Sequence, residues 1–326
     1  MFLLGMAVAA LASCTNEEVV SVPESATINF ASFVNNTTKA VTEVDAGDLS
    51  GGSYYVFGNF GANQNSTTSG DWAGQVFNNE LSTVTYYWSV GNYYRFGAYA
   101  NGVGGKLDNA TFNAATQTLT FPSYTPDDAK DLIAALGTGD ASSDVPDSPV
   151  SLDFDHMLSQ VGFTFYTTDG TEYTIAITDL TVKNAVQTGA TGTYAASGAS
   201  WTGGTDADYE YDDIADVYHV AAITNEDPQQ FKLVIPQAVP TDADKIQVSF
   251  TATITGDGIS TEGGANSKTF TIDLISPDTE SWKPGYRYNY TAMVNGAVIA
   301  GLKPITFTAS VTDDWKDADD TDLTVN

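Results

Sequence analysis

Cysteine and histidine are almost missing from this chain: Cys14 is the only thiol, and His156 and His219 are the only imidazoles, in 326 residues. One thiol forms no internal disulfide, and a metal centre built on several thiolates is excluded. Cations are scarce as well. Twelve Lys plus Arg stand against 41 Asp plus Glu, for a net charge of −29, and no basic cluster interrupts the acidity. Nucleic acid and anionic lipid surfaces, which are bound by clustered Lys and Arg, are therefore excluded as partners. The local signatures of catalysis are absent too, since the chain contains no HExxH, GxSxG or GxxxxGK[ST]. With 41 acids, pairs of carboxylates carry no information about glycoside hydrolysis. The sequence predicts neither an enzyme nor a cofactor.

What is present describes a folded β protein. Hydrophobic residues make up 42% and aromatics 12%, so the acidity sits on the surface of something with a core. Thr, Ser, Asn, Gly, Tyr and Val dominate, which favours strands and turns. The length suits two domains of ordinary size. Phe2 to Ser13, FLLGMAVAALAS, is an apolar run too short to span a bilayer and ends in small residues, as an export signal does. Leu11, Ala12, Ser13 and Cys14 resemble the lipobox of bacterial lipoproteins, in which the cysteine thiol is joined to diacylglycerol; no Lys or Arg precedes the run.

From Thr27 the pattern has period two. In TINFASFV, Ile28, Phe30, Ser32 and Val34 fall on one side and Asn29, Ala31 and Phe33 on the other, which reads as a strand. Further strands are expected over 54–60, 75–87, 93–100, 116–121 and 151–155, then 173–182, 218–222, 231–235, 246–254, 269–274, 286–294 and 305–311. Turn residues separate them, and no long run has period 3.6. The pattern therefore predicts antiparallel sandwiches with Greek-key-like connections. Residues 127–136, DDAKDLIAAL, read equally as a short helix or an edge strand. One helical turn is expected over 156–160, and the domain boundary is placed there. His156 is expected to be a hydrogen-bonded residue at that junction. The acidic runs 206–213 and 313–322 offer oxygen ligands for Ca²⁺ without EF-hand spacing, so they read as solvated loops. In YYWSVGNYYRFGAY, Tyr86 to Tyr99, the aromatics are core positions by alternation, with a sugar-stacking platform as the second reading.

Five stretches, in order, resemble the fimbrillin family, the subunits of the type V pili of Bacteroidales: DFDHMLSQVGFTF at 153–165, LTVKNA with GTY at 192–194, FKLVIPQ at 231–237, WKPGYRYNYTAMV at 282–294 and PITFTASVTDDW at 304–315. The lipobox and Thr-Lys-Ala at 38–40 come in matching order. The resemblance implies two transthyretin-like antiparallel β-sandwich domains in tandem, over 40–158 and 159–326, behind a signal peptide (1–13) and a propeptide (14–39). It implies lipidation at Cys14 by the lipoprotein export machinery and residence on the outer membrane. A trypsin-like protease then cuts between Lys39 and Ala40, and the leader strand carrying Ile28, Phe30 and Val34 is lost. The groove left behind accepts the C-terminal strand of another copy or a related pilin. Here that tail is Lys316 to Asn326, with Leu323 and Val325 on one face; the segment 304–312 reads instead as the last strand of its own domain. The family's cut normally follows Arg, and Lys39 departs from that. Lys39 is also the only cation before Arg95, so a basic-specific protease has one target in the leader; the alternative is an ordinary solvated loop residue. The ligand of any adhesion, on a host or bacterial surface, is not specified. The second functional reading is a surface glycan-binding lipoprotein that stays anchored at Cys14, and a third is an accessory or tip subunit of the same pilus.

Overall fold

The computed structural model describes residues 27–34, 54–64, 69–71, 75–76, 86–102, 105–223, 228–241, 245–259, 266–275 and 281–312. Nine strands come first: β1 (Phe30–Val34), β2 (Tyr55–Gly61), β3 (Ser69–Asp71), β4 (Gln75–Val76), β5 (Asn92–Asn101), β6 (Thr111–Asn113), β7 (Thr118–Tyr124), β8 (Leu132–Ala141) and β9 (Val150–His156). Then follow β10 (Ser159–Thr167), β11 (Tyr173–Thr188), β12 (Ala190–Ala195), β13 (Gly198–Thr202), β14 (Thr205–Glu210), β15 (Tyr218–His219), β16 (Gln230–Val234), β17 (Gln237–Ala238), β18 (Gln247–Gly256), β19 (Ser267–Asp273), β20 (Ser281–Trp282), β21 (Arg287–Met293), the one-turn helix α1 (Gly296–Ile299) and β22 (Phe307–Thr312). The protein is all-β, as the alternation predicts.

Two sandwiches account for all the strands but β17 and β20, which pair with each other in a two-stranded sheet. In the first, a seven-stranded sheet ordered β1-β9-β8-β5-β2-β3, with β4 also on β2, faces a four-stranded sheet ordered β13-β12-β7-β6. In the second, a sheet ordered β15-β10-β21-β22, with β16 also on β10, faces β14-β11-β18-β19. Pairing is mostly antiparallel, but β1 runs parallel to β9, and β10 runs parallel to both β21 and β15.

The seven-stranded sheet is apolar on both faces. Along β5, Tyr94, Phe96, Ala98 and Ala100 enter one core with Val56, Ile133, Leu152 and Phe154, while Tyr99 enters the other with Phe57, Leu132, Leu119 and Phe121. A strand covered on both sides reads as a near-continuous apolar run, which is why NYYRFGAYAN is so rich in aromatics. Gly97, on the face of Tyr99, leaves room for Phe112, since a Cβ there would lie 2.5 Å from that ring.

The second-half chain crosses back to the first sandwich. β11 carries register shifts on both of its ladders, and Asp179 and Asn184 within them have positive φ of 55° and 61°, a conformation that Asn and Asp tolerate better than most residues. Gly189, at φ 70°, then turns the chain into β12, which pairs with β7. The hairpin 190–202 thus follows the expected boundary at 158/159 in sequence, yet lies in the sheet of β6 and β7. Its Trp201 ring nitrogen donates to the Met157 carbonyl at 2.6 Å, and the Tyr194 hydroxyl donates to the Asp155 carboxylate. On β16 and just after it, Leu233 and Ile235 enter the first sandwich's core while Val234 enters the second's.

Several local expectations are corrected. Residues 127–136 form neither a helix nor an edge strand: Asp127 to Lys130 is a turn closed by a 2.8 Å backbone bond, and Leu132 opens the interior strand β8. Alternation there was obscured because β8, like β5, is buried on both faces. The helical turn at 156–160 is instead the end of β9, a two-residue link and the start of β10, with Met157 and Leu158 fully buried. Of the expected strand 75–87, Gln75–Val76 is a strand and Tyr87 forms an isolated bridge; residues 77–85 lie outside the described residues. The acidic run 206–213 is not a loop in its first half, since Thr205–Glu210 is a strand that buries Tyr209 and turns Asp206, Asp208 and Glu210 to one side or into solvent.

Leu233→Ala is expected to lower stability by about 2–5 kcal/mol, the cost of a large-to-small core change. Urea unfolding followed at Trp88, in the first sandwich, should register that loss although residue 233 lies in the second half of the chain.

Candidate functional site

The site of interest is the edge where the leader meets β9. Thr27 bridges Tyr87, and the Ile28 amide donates to the Tyr86 carbonyl at 2.9 Å. The Val150 amide donates to the Asn29 carbonyl at 2.8 Å. From there the chain runs parallel to β9 in unbroken register, Phe30 opposite Val150 through Val34 opposite Phe154. Ile28 is 3% exposed and belongs to the core of Tyr94, Phe96 and Phe154. The Phe30 ring meets Phe96 edge-on, with centroids 5.1 Å apart and an interplanar angle of 88°, a geometry aromatic pairs favour. Trp88, reached through the same loop that holds Ile28, stands edge-on to Tyr94 at 4.6 Å.

β9 depends on this neighbour. Its other flank pairs with β8 only at Ile133–His156 and Ala134–Asp155, so over 150–154 the ladder partner is the leader. Alternation in VSLDFDH is clean: Val150, Leu152, Phe154 and His156 point inward, and Ser151 and Asp153 outward. Gly137 of β8 lets Val150 and Leu152 close over it, because a Cβ there would lie 2.8 Å and 3.0 Å from their methyl groups.

The other residues singled out by sequence fall as follows. Ile28 and Phe30 are brought together at the first core, and Val34 joins them through its backbone ladder to Phe154. Cys14, Lys39, Ala40, Leu323, Val325 and the acidic run 313–322 lie outside the described residues. β22 pairs antiparallel with β21, and its Phe307 ring lies 5.9 Å, 5.8 Å and 6.1 Å from Phe163, Phe165 and Phe250; residues 307–312 are a strand of their own domain, as expected. His156 is buried at the junction and hydrogen-bonded, with Nδ1 2.7 Å from Asp131 Oδ2. Its neighbour Asp155 serves Tyr194 instead, and burial together with that bond raises the Tyr194 pKa. His219 lies at the far end of the second sandwich between the Asp169 carbonyl and Asp216, which raise its pKa in that order. Among the described residues no group of His, Cys, Asp or Glu is arranged to hold a metal ion, and no helix is long and apolar enough to cross a membrane.

Of the aromatic stretch, Tyr94, Phe96 and Tyr99 are core, as alternation predicts, whereas Tyr87 is 48% exposed. Sequence reasoning did not find β9 as the leader's partner. Parallel pairing across more than a hundred residues leaves no local signal.

A family model described as Fimbrillin-like matches residues 24–315. The chain belongs to the fimbrillin-like family. Among solved structures it is similar to a fimbrial protein from Bacteroides vulgatus, at 16% identity and TM-score 0.58 over 88% of this chain and 99% of that one. A fimbrial assembly protein from Parabacteroides distasonis is similar at 10% identity and TM-score 0.48, over 88% of this fimbrillin-like chain and 97% of the other. The tip fimbrial protein Mfa3 from Porphyromonas gingivalis, truncated at its C-terminus, follows at 10% identity and TM-score 0.42, over 80% and 94%. No curated protein matches. Family membership makes the chain a fimbrial, cell-surface protein.

Phe30→Ala is expected to destabilise the full chain by about 1–3 kcal/mol, the loss of a half-buried aromatic with its ring partner. Hydrogen exchange resolved by segment should show the loss as faster exchange at Val150 to Phe154, with β18 and β19 unchanged.

Proposed function

We propose that this fimbrillin-like protein is a structural pilus subunit, exported as a lipoprotein precursor on Cys14, cut between Lys39 and Ala40, and polymerised by exchange of its leader strand for the tail of another subunit. It has no catalytic role in this reading. The observation that carries it is the place of Phe30–Val34: an edge strand, parallel to β9, whose preceding Ile28 and first residue Phe30 reach into the first core.

An edge strand is the element of a sheet that can leave without breaking other ladders. Its loss would expose the N–H and C=O groups of Val150 to Phe154 and an apolar patch at Phe96. Both are satisfied by a new strand laid along the same edge, the mode of recognition called β-strand addition. The tail with Leu323 and Val325 offers the required alternation, and it follows β22, which stays in its own sheet. While the leader is in place the edge is occupied, so the precursor does not polymerise early. Other copies of the chain or related pilins are the partners, with a trypsin-like protease and the lipoprotein export machinery acting before them. A polar run such as NNTTKAVTE can enter a protease cleft in extended form.

Lys39→Ala is expected to give a lipidated, cell-attached monomer and no fibres. Mass spectrometry should find Ala40 as the N-terminus of assembled wild-type protein; normal fibres from the mutant, or lipidated Cys14 within assembled fibres, would refute the proposal. The second outcome would favour a glycan-binding lipoprotein that remains anchored.

A further inference from the structure

Among the described residues, the first sandwich has a cavity at the end remote from the second. The near end is where Asn101 pairs with Leu132, whose carbonyl receives the Met157 amide. The remote end is where Asn92 pairs with Ala141. There a cavity of about 340 Å³ is lined by Gln64, Tyr93, Arg95, Gln117, Thr138 and Asp140, with Tyr94 and Gly139 completing its wall. We infer that this cavity binds one or two rings of a neutral pyranose sugar.

The first argument is chemical. Sugar hydroxyls each donate and accept, so a site for them alternates the two kinds of group. This cavity does so, with one guanidinium, one carboxylate, two primary amides and a hydroxyl, beside the phenol ring of Tyr93 that can cover an apolar sugar face. Hydrogen bonds from Ser142, side chain and then backbone, hold the Asp140 pKa low and keep it an acceptor. The volume is at the small end of the roughly 300–1,000 Å³ typical of small-molecule sites, which suits one or two rings. The lining carries one cation, Arg95, and one anion, Asp140, for a formal charge of zero, and the chain as a whole carries −29. A carboxylated sugar would approach against that field.

The second argument is conformational and independent of the lining. Gln117 ends the turn between β6 and β7 at a φ of 49°, a left-handed position where glycine or asparagine is the ordinary choice. The turn thus carries a strained long amide where an unstrained residue was available, and that amide lines the cavity. Strain of this kind, observed first and explained second, is a mark of a functional position. Arg95, nine-tenths buried, sits mid-strand opposite Asn59 and Thr138, so rigid sheet rather than loop positions the charged member.

This site is complete within one chain, so it goes beyond the reading of strand exchange and fails or holds separately from it. The test is saturation-transfer NMR on the purified full chain with methyl β-galactopyranoside, methyl β-glucopyranoside, methyl α-mannopyranoside and methyl β-glucuronide. Saturable transfer to at least one neutral glycoside is expected. It should weaken about tenfold in Asp140→Ala and several-fold in Gln117→Gly, which removes the amide while relieving the backbone. No transfer to a neutral glycoside, transfer to the glucuronide alone, or transfer unchanged in either variant would overturn the inference.

Discussion

A sheet with two apolar faces needs two covers, and the first sandwich is arranged around that requirement. One face of the seven-stranded sheet is closed by β6, β7 and a hairpin that the chain supplies only after passing through the second sandwich. The other face holds Tyr94, Phe96 and Phe154, and its described cover includes Ile28, Phe30, Trp88 and Val145. The two covers differ in kind. The hairpin is fixed from both ends by continuous chain and by Trp201 and Tyr194 bonding to Met157 and Asp155. Residues 27–34 are held by one flank of β9, by the loop at Tyr86 and Tyr87, and by Ile28 and Phe30 in the core.

Magnitudes separate a cover that stays from one that can leave. Full burial of Ile28 contributes about 1.5–3 kcal/mol, half-burial of Phe30 about half that, and the edge-on ring pair about 0.5–1.5 kcal/mol. The sum is about 3–6 kcal/mol. A domain is typically stable by about 5–15 kcal/mol, so in the proposed precursor such a contact would be strong enough to keep the edge closed and small enough that its loss need not unfold the rest. The core on the hairpin side contains Tyr99, Leu119, Phe121 and Leu132, all essentially unexposed, and among the described residues its members begin at Tyr55.

What was legible in the sequence was whatever one strand encodes by itself. TINF, at 27–30, and VSLDFDH alternate because each has one buried face, and the alternation shows which side chains point inward. The strand 132–141 was not legible for the opposite reason. Ile133 and Ala135 enter one core, Leu132 and Ala134 the other, and a doubly buried strand has no period to read. The hairpin 190–202 was missed because GTYAASGASWTGG looks like a glycine-rich loop; Gly192 is required because the Trp201 ring lies where its Cβ would be, at 2.8 Å. Of the cavity, Tyr93 and Arg95 were visible as part of an aromatic run, but Gln117 was not. Left-handed backbone at a glutamine leaves no trace in composition.

In the proposed assembly, the acidic surface and the scarce cations fit together with an edge that would accept only its own kind of strand. Main-chain hydrogen bonds along β9 carry no sequence information, so any free strand could in principle satisfy them. Discrimination has to come from the side chains and the field. Alternate apolar side chains select strands that can fill the patch beside Phe96, while a net charge of −29 makes copies of the chain repel as they come within about a Debye length and leaves only short-range complementarity to join them. A basic surface cluster would defeat that arrangement by drawing acidic chains together in arbitrary orientations. Ordered polymerisation of the proposed kind would therefore favour the composition seen here: acids throughout, cations placed singly and an edge closed by a segment of its own chain.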